Sequence, residues 1–197
     1  MRALLFTVAA FFAVAAPASA GTQDLVVSQV YGGGGNANAS HTHDFIEIFN
    51  RGAAPIVLDG MSLQYASAAG TGNLGANSGQ LTELAGTIQP GRYFLVQEFS
   101  QADVGAALPA PDQIDATPIN MSGTAGKVAL ATGTTSLGCN GGSAPCGAAA
   151  LARIVDLVGY GSANFFEGAG AAPAPSNTTS AQRREGGCID DDNNATD

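Results

Sequence analysis

The chain has 197 residues, of which 45% are hydrophobic, and its seven basic and sixteen acidic residues give a formal net charge of −9. Extended binding of phosphate groups requires clustered lysine and arginine side chains. The sequence has a single lysine, Lys127, and its one arginine pair, Arg183-Arg184, is followed closely by acidic residues. The composition therefore argues against generic nucleic-acid binding and against attraction to an anionic membrane.

Residues 1–20 have the pattern of an export signal. Met1 and Arg2 give a positive start, residues 3–16 are an uncharged apolar run, and Pro17 precedes the small residues 18–20. This order is typical of a secretory signal, and the run is shorter than the roughly 18–20 residues of a membrane span. We predict cleavage after Ala20, leaving one secreted or periplasmic domain over residues 21–197 with no transmembrane segment.

The rest of the chain predicts short strands separated by turns rich in glycine and proline. In residues 45–50, Phe45, Glu47 and Phe49 alternate with Ile46 and Ile48, which is the period of a strand with two distinct faces. The predicted strands are residues 25–31, 45–50, 56–58, 61–65, 82–88, 93–97, 128–132, 154–160 and 180–185. One helical turn is expected over residues 101–106, with Ser100 as its N-cap. Such a pattern predicts an all-β antiparallel sandwich or barrel, with long loops at 67–80, 99–117 and 133–153.

The three cysteines fit an exported protein. Cys139 and Cys146 bracket a loop of six residues, and Cys188 stands apart. In an oxidising compartment we expect a Cys139–Cys146 disulfide, which would stabilise so small a ring by about 2–3 kcal/mol. A structural zinc site is the alternative, but three cysteines without a nearby histidine fit its ligand spacing poorly. Cys188 is either free or paired with one of the other two.

Several segments in register resemble bacterial lamin-tail domains. Residues 26–33 (VVSQVYGG) and 44–50 (DFIEIFN) resemble the opening of such domains, and residues 56–65, 84–96, 127–130 and 155–161 match later segments in order. The resemblance covers essentially the whole mature chain and implies an immunoglobulin-like β-sandwich. One departure is Met61, where many relatives have tryptophan. Bacterial members commonly lie beside a metal-dependent nuclease or phosphatase domain, and residues 188–197 resemble the end of such modules in extracellular nucleases.

The segment His41-Thr42-His43-Asp44 holds both histidines of the chain. Alternating histidines next to a carboxylate are a candidate site for a divalent ion. The alternative, which the family resemblance favours, is a polar loop entering a strand, with Asp44 accepting backbone N–H groups.

The acidic end of the chain is a second candidate metal site, because calcium takes six to eight oxygen ligands. Its spacing is not that of an EF-hand loop, and the alternative is a solvated tail. The candidate calcium ligands are Asp190, Asp191, Asp192, Asn193, Asn194 and Asp197.

Glu47 shares a strand face with two phenylalanines, so we expect a partner for its carboxylate, either Arg92 or Arg153. No catalytic residues are predicted, because nucleophilic hydrolases need a base beside the nucleophile and both histidines lie in one loop.

The sequence thus predicts an exported, non-catalytic lamin-tail module that binds or targets a surface, a polymer or an attached enzyme through its loops. Residues 36–43 and 67–80 are the loops expected to carry binding. One alternative is the N-terminal module of a truncated or larger secreted metal-dependent nuclease or phosphatase. Another is a calcium-stabilised adhesion-type domain.

Overall fold

The computed structural model describes residues 24–197, in which two β-sheets face each other. The strands are β1 (Leu25–Tyr31), β2 (Phe45–Asn50), β3 (Ile56–Val57), β4 (Met61–Ser67), β5 (Leu81–Glu83), β6 (Thr87–Ile88), β7 (Tyr93–Gln97), β8 (Gln113–Ile114), β9 (Gly126–Thr132), β10 (Ile154–Tyr160) and β11 (Ala181–Gln182). The short helical turns are Ser78–Gln80, α1 (Ala148–Leu151) and α2 (Arg184–Gly187). The predicted signal peptide lies outside the described residues.

The five-stranded sheet has the order β11-β1-β2-β7-β8, the four-stranded sheet has the order β10-β9-β4-β5, and β3 pairs with β6. The pairs are antiparallel except β7 with β8. This confirms the predicted all-β, immunoglobulin-like sandwich. Within residues 24–197, no helix is long and apolar enough to cross a membrane.

The boundaries of most strands follow the prediction, and two expectations were wrong. The strand predicted over 82–88 is interrupted, because Gly86 has a φ of +115° and its N–H donates to Asp59. Residues 101–106 do not form a helix, because Ala106 bonds instead to Ser40 and Thr42 of a neighbouring loop. Strand β11 is also shorter than the predicted 180–185, since the chain turns sharply after it.

The main core lies between the two sheets and follows from alternation along the strands. Ile46 and Ile48 of β2 are fully buried in it, together with Val30 of β1 and Leu63 and Leu130 of the facing sheet. Alternate residues of a strand point to opposite faces, which explains why Phe45, Glu47 and Phe49 lie on the outer face of the five-stranded sheet.

A second hydrophobic cluster covers the outer face of the four-stranded sheet. Leu74 is fully buried there against Ala129 and Leu157, although it belongs to the loop predicted as a free binding loop. Its N–H donates to Cys139 O at 2.9 Å, so this loop and the disulfide loop cover the sheet together. Residues 67–80 therefore form a structural layer.

The disulfide loop also encloses the one lysine of the chain. Cys139 and Cys146 form the predicted disulfide, which overturns the zinc alternative, and Cys188 is free. Lys127 is fully buried, and its Nζ donates to Asn140 O at 2.8 Å and to Asn164 Oδ1 at 2.9 Å. Burial lowers the pKa of Lys127, and the two oxygens replace the water that this amine has lost.

If loop 67–80 is a structural layer, Leu74→Ala will lower the free energy of unfolding by about 3 kcal/mol, because it opens a cavity beneath the loop. Leu151→Ala is the matched control, since Leu151 is 47% exposed and its truncation is expected to cost about 0.5 kcal/mol or less. Urea unfolding followed by circular dichroism measures both. Equal losses for the two variants would contradict this role for the loop.

Candidate functional site

Asp44 organises the end of the sandwich at which β1 ends and β2 begins. Its carboxylate accepts the N–H of Gly34 at 2.7 Å and the N–H of Met121 at 2.9 Å, and it is almost fully buried. A Cβ on Gly34 would lie 2.0 Å from Asp44 N, so only glycine fits this close approach. Burial raises the pKa of Asp44 to about 7, against the lowering effect of the two N–H groups. Asp44 therefore ties two loops to β2.

Glu98 has the same role one strand away. Its carboxylate accepts the hydroxyl of Thr82 at 2.7 Å and the N–H of Ile119 at 2.7 Å. Burial raises the pKa of Glu98 to about 8. This residue was missed by the sequence analysis, although it directly follows β7 in a chain with few charges.

The histidines do not form a metal site with Asp44. The ring of His41 packs edge-on against Tyr31 and Phe45, with centroid distances of 5.6 and 5.8 Å. Nδ1 of His43 lies 2.9 Å from the hydroxyl of Thr42. Among residues 24–197, the side chains close enough to share an ion are those of Asp156, Glu167 and Asp190. The alternative reading, in which Asp44 holds backbone N–H groups, is confirmed.

A small cleft, the polar cleft, opens beside these rings. Its volume is about 210 Å³, and Nδ1 of His41 is buried there with no hydrogen-bond partner among the described residues. The lining residues are Gln29, Tyr31, Ser40, His41, Phe45, Thr178, Thr179 and Ser180. The lining thus combines hydroxyl and amide groups with the aromatic rings of Tyr31, His41 and Phe45.

A buried guanidinium joins the two sheets next to the β11 edge. Nη2 of Arg183 lies 2.7 Å from Asp156 Oδ1, and its Nη1 lies 3.0 Å from both Asp190 Oδ1 and Asp197 Oδ2. Glu167 is 3.6 Å away. Burial alone lowers the pKa of Arg183, but the surrounding carboxylates raise it above its ordinary value. We call these five residues the Arg183 cluster.

The guanidinium of Arg183 occupies the position in which three neighbouring carboxylates could otherwise bind a metal ion. Asp156, Glu167 and Asp190, the three groups that meet within ion-binding distance, all surround Arg183. Asp190 is also paired with Arg51 at 2.8 Å. Burial, and next the charge of Asp156, raise the pKa of Glu167 to about 8. A proton on Glu167 and the positive charges of Arg183 and Arg51 therefore offset the negative charge of the carboxylates.

The candidate calcium ligands are used in different ways. Asp190 and Asp197 bind Arg183, whereas Asp191 and Asp192 are exposed. Oδ1 of Asn193 accepts the N–H of Ala169 at 3.1 Å. The calcium prediction stays a prediction.

Asn194 closes the free edge of β10. Its Oδ1 accepts the N–H of Gly159 at 2.8 Å, and its Nδ2 donates to Leu157 O at 2.9 Å. The side-chain amide thus takes the place of a neighbouring strand, which protects an edge that would otherwise be unpaired. The acidic tail is therefore held at both Arg183 and β10.

Glu47 has a partner, but the predicted arginine was wrong. The hydroxyl of Ser28 donates to Glu47 Oε1 at 2.8 Å. Arg153 instead donates to the carbonyls of Thr132, Thr135 and Ser136.

Stability is expected to fall as pH rises from about 5 to 9. Glu98 has a folded pKa of about 8, above its ordinary 4.5, so the folded state binds a proton that the unfolded state has released. Its stabilising contribution is complete below the unfolded pKa and is lost as pH rises through the folded pKa. In Glu98→Gln the amide oxygen can accept the N–H of Ile119 and the amide NH2 can donate to Thr82 Oγ1, whose hydroxyl also reaches Asp115 Oδ2. Without a charge to bury, this variant should stabilise the protein at pH 9 by on the order of 2–4 kcal/mol relative to wild type.

Thermal melts at pH 5, 7 and 9 test this linkage, with the exposed Glu83→Gln as control. The control should keep the pH profile of the wild type. A Glu98→Gln profile parallel to wild type would contradict proton uptake at this site.

Arg183→Gln should lower the free energy of unfolding by about 3–5 kcal/mol, because it leaves buried carboxylates without a counter-ion. Arg183→Lys keeps the charge but loses the planar set of donors, so its loss should be intermediate. Urea unfolding measures both against the exposed control Arg92→Gln. A loss for Arg183→Gln no greater than that of the control would show that the cluster does not stabilise the fold.

Comparisons with known proteins place the chain in a family. The model of the Lamin Tail Domain matches residues 18–160. A crystal structure of a DUF4876 family protein from Bacteroides thetaiotaomicron is similar at 13% identity and a TM-score of 0.36, over 56% of this chain and 42% of that chain. The chain therefore spans less than half the length of that protein. No curated protein matches. Because the family model covers well over half of the sequence and ends with β10, this chain belongs to the lamin tail domain family.

Proposed function

We propose that the chain is an exported, non-catalytic binding or targeting module that holds a neutral, hydroxyl-rich polymer, such as a cell-surface polysaccharide, in its polar cleft. The observation that carries this proposal is the lining of the cleft, which combines hydroxyl and amide groups with aromatic rings. Such groups pair with sugar hydroxyls, and the net charge of −9 disfavours an anionic polymer.

The rigidity of the surrounding loops supports a binding role. Tyr31 OH donates to Asn177 O at 2.6 Å and accepts the N–H of Ser40 at 3.0 Å, so both walls of the cleft are tied to β1. Asn177 also donates to Ala37 O at 3.1 Å. A preformed site avoids the entropy cost of ordering loops when a ligand binds.

The arrangement of ionisable groups supports a role without catalysis. Asp44 and Glu98 hold backbone N–H groups, and the carboxylates around Arg183 hold the guanidinium. General acid–base work requires a group within hydrogen-bond reach of a substrate, and these side chains are turned into the protein.

The alternatives have separate tests. The calcium role is tested by melting the protein in EDTA and in millimolar calcium, since a ligand of the native state raises Tm. An unchanged Tm would leave Arg183 as the counter-ion of the tail. The role as part of a larger secreted enzyme predicts that the gene continues in frame past Asp197 with metal ligands.

To test polymer binding, the full chain is expressed with export, purified from the medium and mixed with particles of cell-wall polysaccharide, chitin or cellulose. We expect the wild type to sediment with at least one polymer. Thr178→Trp, on the exposed rim of the cleft, should lower the bound fraction about fivefold or more by filling the site. An N-terminus at Gly21 would support the predicted signal cleavage.

Thr117→Trp is the matched control. Thr178 and Thr117 are both exposed, and the N–H of each donates to a side-chain oxygen two residues earlier. The control should bind like the wild type. Protein that stays in the supernatant with every polymer, or equal binding by the two variants, would overturn the proposal.

A further inference from the structure

A second depression, the edge groove, lies between the sheets where β11 and β1 face β10. Its volume is about 310 Å³, and its floor includes Val27, Val30 and Val158, which belong to the main core. Residues 172–175 and 179–184 line it together with residues 194–197 of the tail, where the carboxylate of Asp197 is paired with Arg183. Protein interiors are normally filled to crystal-like density, so an opening that reaches the core is suited to an apolar group from another molecule.

One guanidinium at this groove is not neutralised. Arg183 is buried among carboxylates, but the neighbouring Arg184 is exposed and forms no ion pair within residues 24–197. A guanidinium recognises a carboxylate through paired, charge-assisted hydrogen bonds. At physiological salt, charges more than about 8 Å from a bound group are largely screened. Direct contact with Arg184 therefore affects a ligand in the groove more than the net negative charge of the whole chain does.

The groove also runs along an open strand edge. Strand β11 is the last strand of the five-stranded sheet, and its residues Ala181 and Gln182 line the groove. An extended peptide can add to such an edge through its backbone while its side chains enter pockets beside the strand. This feature favours a polypeptide over a simple fatty acid.

We propose that the edge groove binds the apolar C-terminal residue of a partner polypeptide. The side chain would enter the groove above Val27 and Val158, and the terminal carboxylate would pair with Arg184. The volume is at the lower end of the range for ligand sites, which fits a single large side chain. This site adjoins the polar cleft, with which it shares Thr179 and Ser180, and it adds a protein partner to the module.

The test compares two fluorescent hexapeptides that end in phenylalanine, one with a free C-terminal carboxylate and one with a C-terminal amide. Binding to the full exported chain is measured by fluorescence polarisation. We expect the free acid to bind about tenfold more tightly or better than the amide. Arg184→Gln should remove this difference, whereas the exposed Arg92→Gln should keep it.

A second variant addresses the apolar part of the groove. Ala174 is exposed on its rim, so Ala174→Trp can fill the groove without disturbing the core and should weaken both peptides. Thr178→Trp, which blocks the polar cleft, should leave peptide binding unchanged. Equal binding of acid and amide by the wild type, or equal effects of Arg184→Gln and Arg92→Gln, would overturn the proposal. Binding of decanoate without binding of the free-acid peptide would also overturn it.

Discussion

The ion pair between Arg183 and Asp156 connects the five-stranded sheet to the four-stranded sheet, and both side chains are buried. Removing two charges from water costs several kcal/mol for each ion, so such a pair persists only where the remaining donors and acceptors are used. Here Arg183 Nε donates to Val27 O at 3.1 Å, and Asp156 Oδ2 accepts Val27 N–H at 2.6 Å. The N–H and the carbonyl of Val27 therefore bond to the side chains of Asp156 and Arg183, next to the bulge of β1 at Ser28.

The course of the chain after β11 follows from this pair. Carboxylates must return to Arg183, and the chain reverses within Glu185, Gly186 and Gly187, which have φ values of +54°, +71° and +88°. A Cβ on Gly187 would lie 2.4 Å from Ser28 Cβ. Glycine at this position thus satisfies the backbone conformation and the contact with the bulge together. The tail then supplies Asp197 to Arg183 and Asn194 to the edge of β10.

The sequence predicted the elements whose signals are local. Alternation placed Ile46 and Ile48 in the core, and two cysteines that bracket a short loop, in a chain predicted to be exported, identified the disulfide. The Arg183 cluster could not be predicted, because its members are brought together by the fold from separate segments of the chain. The acidic tail gave a visible signal, but sequence spacing does not distinguish a solvent metal ion from the guanidinium of Arg183, the residue that follows β11. The burial of Leu74 was not predicted for a related reason: a single leucine in a polar loop forms no periodic pattern of hydrophobic residues.

The segment after the family match contributes to both candidate surfaces. The match ends at Tyr160, and residues 161–197 supply Arg183, one wall of the polar cleft and most of the lining of the edge groove. The segment is fastened by the pairing of β11 with β1, by the Arg183 cluster, by Asn194 on β10, and by the bonds that Asn177 O accepts from Tyr31 and Ser40. Both candidate surfaces depend on these contacts, because they hold residues 178–184 against β1. The matched range supplies the opposite wall of the polar cleft and the apolar floor of the edge groove, so each candidate surface is built jointly by the family domain and the segment that follows it.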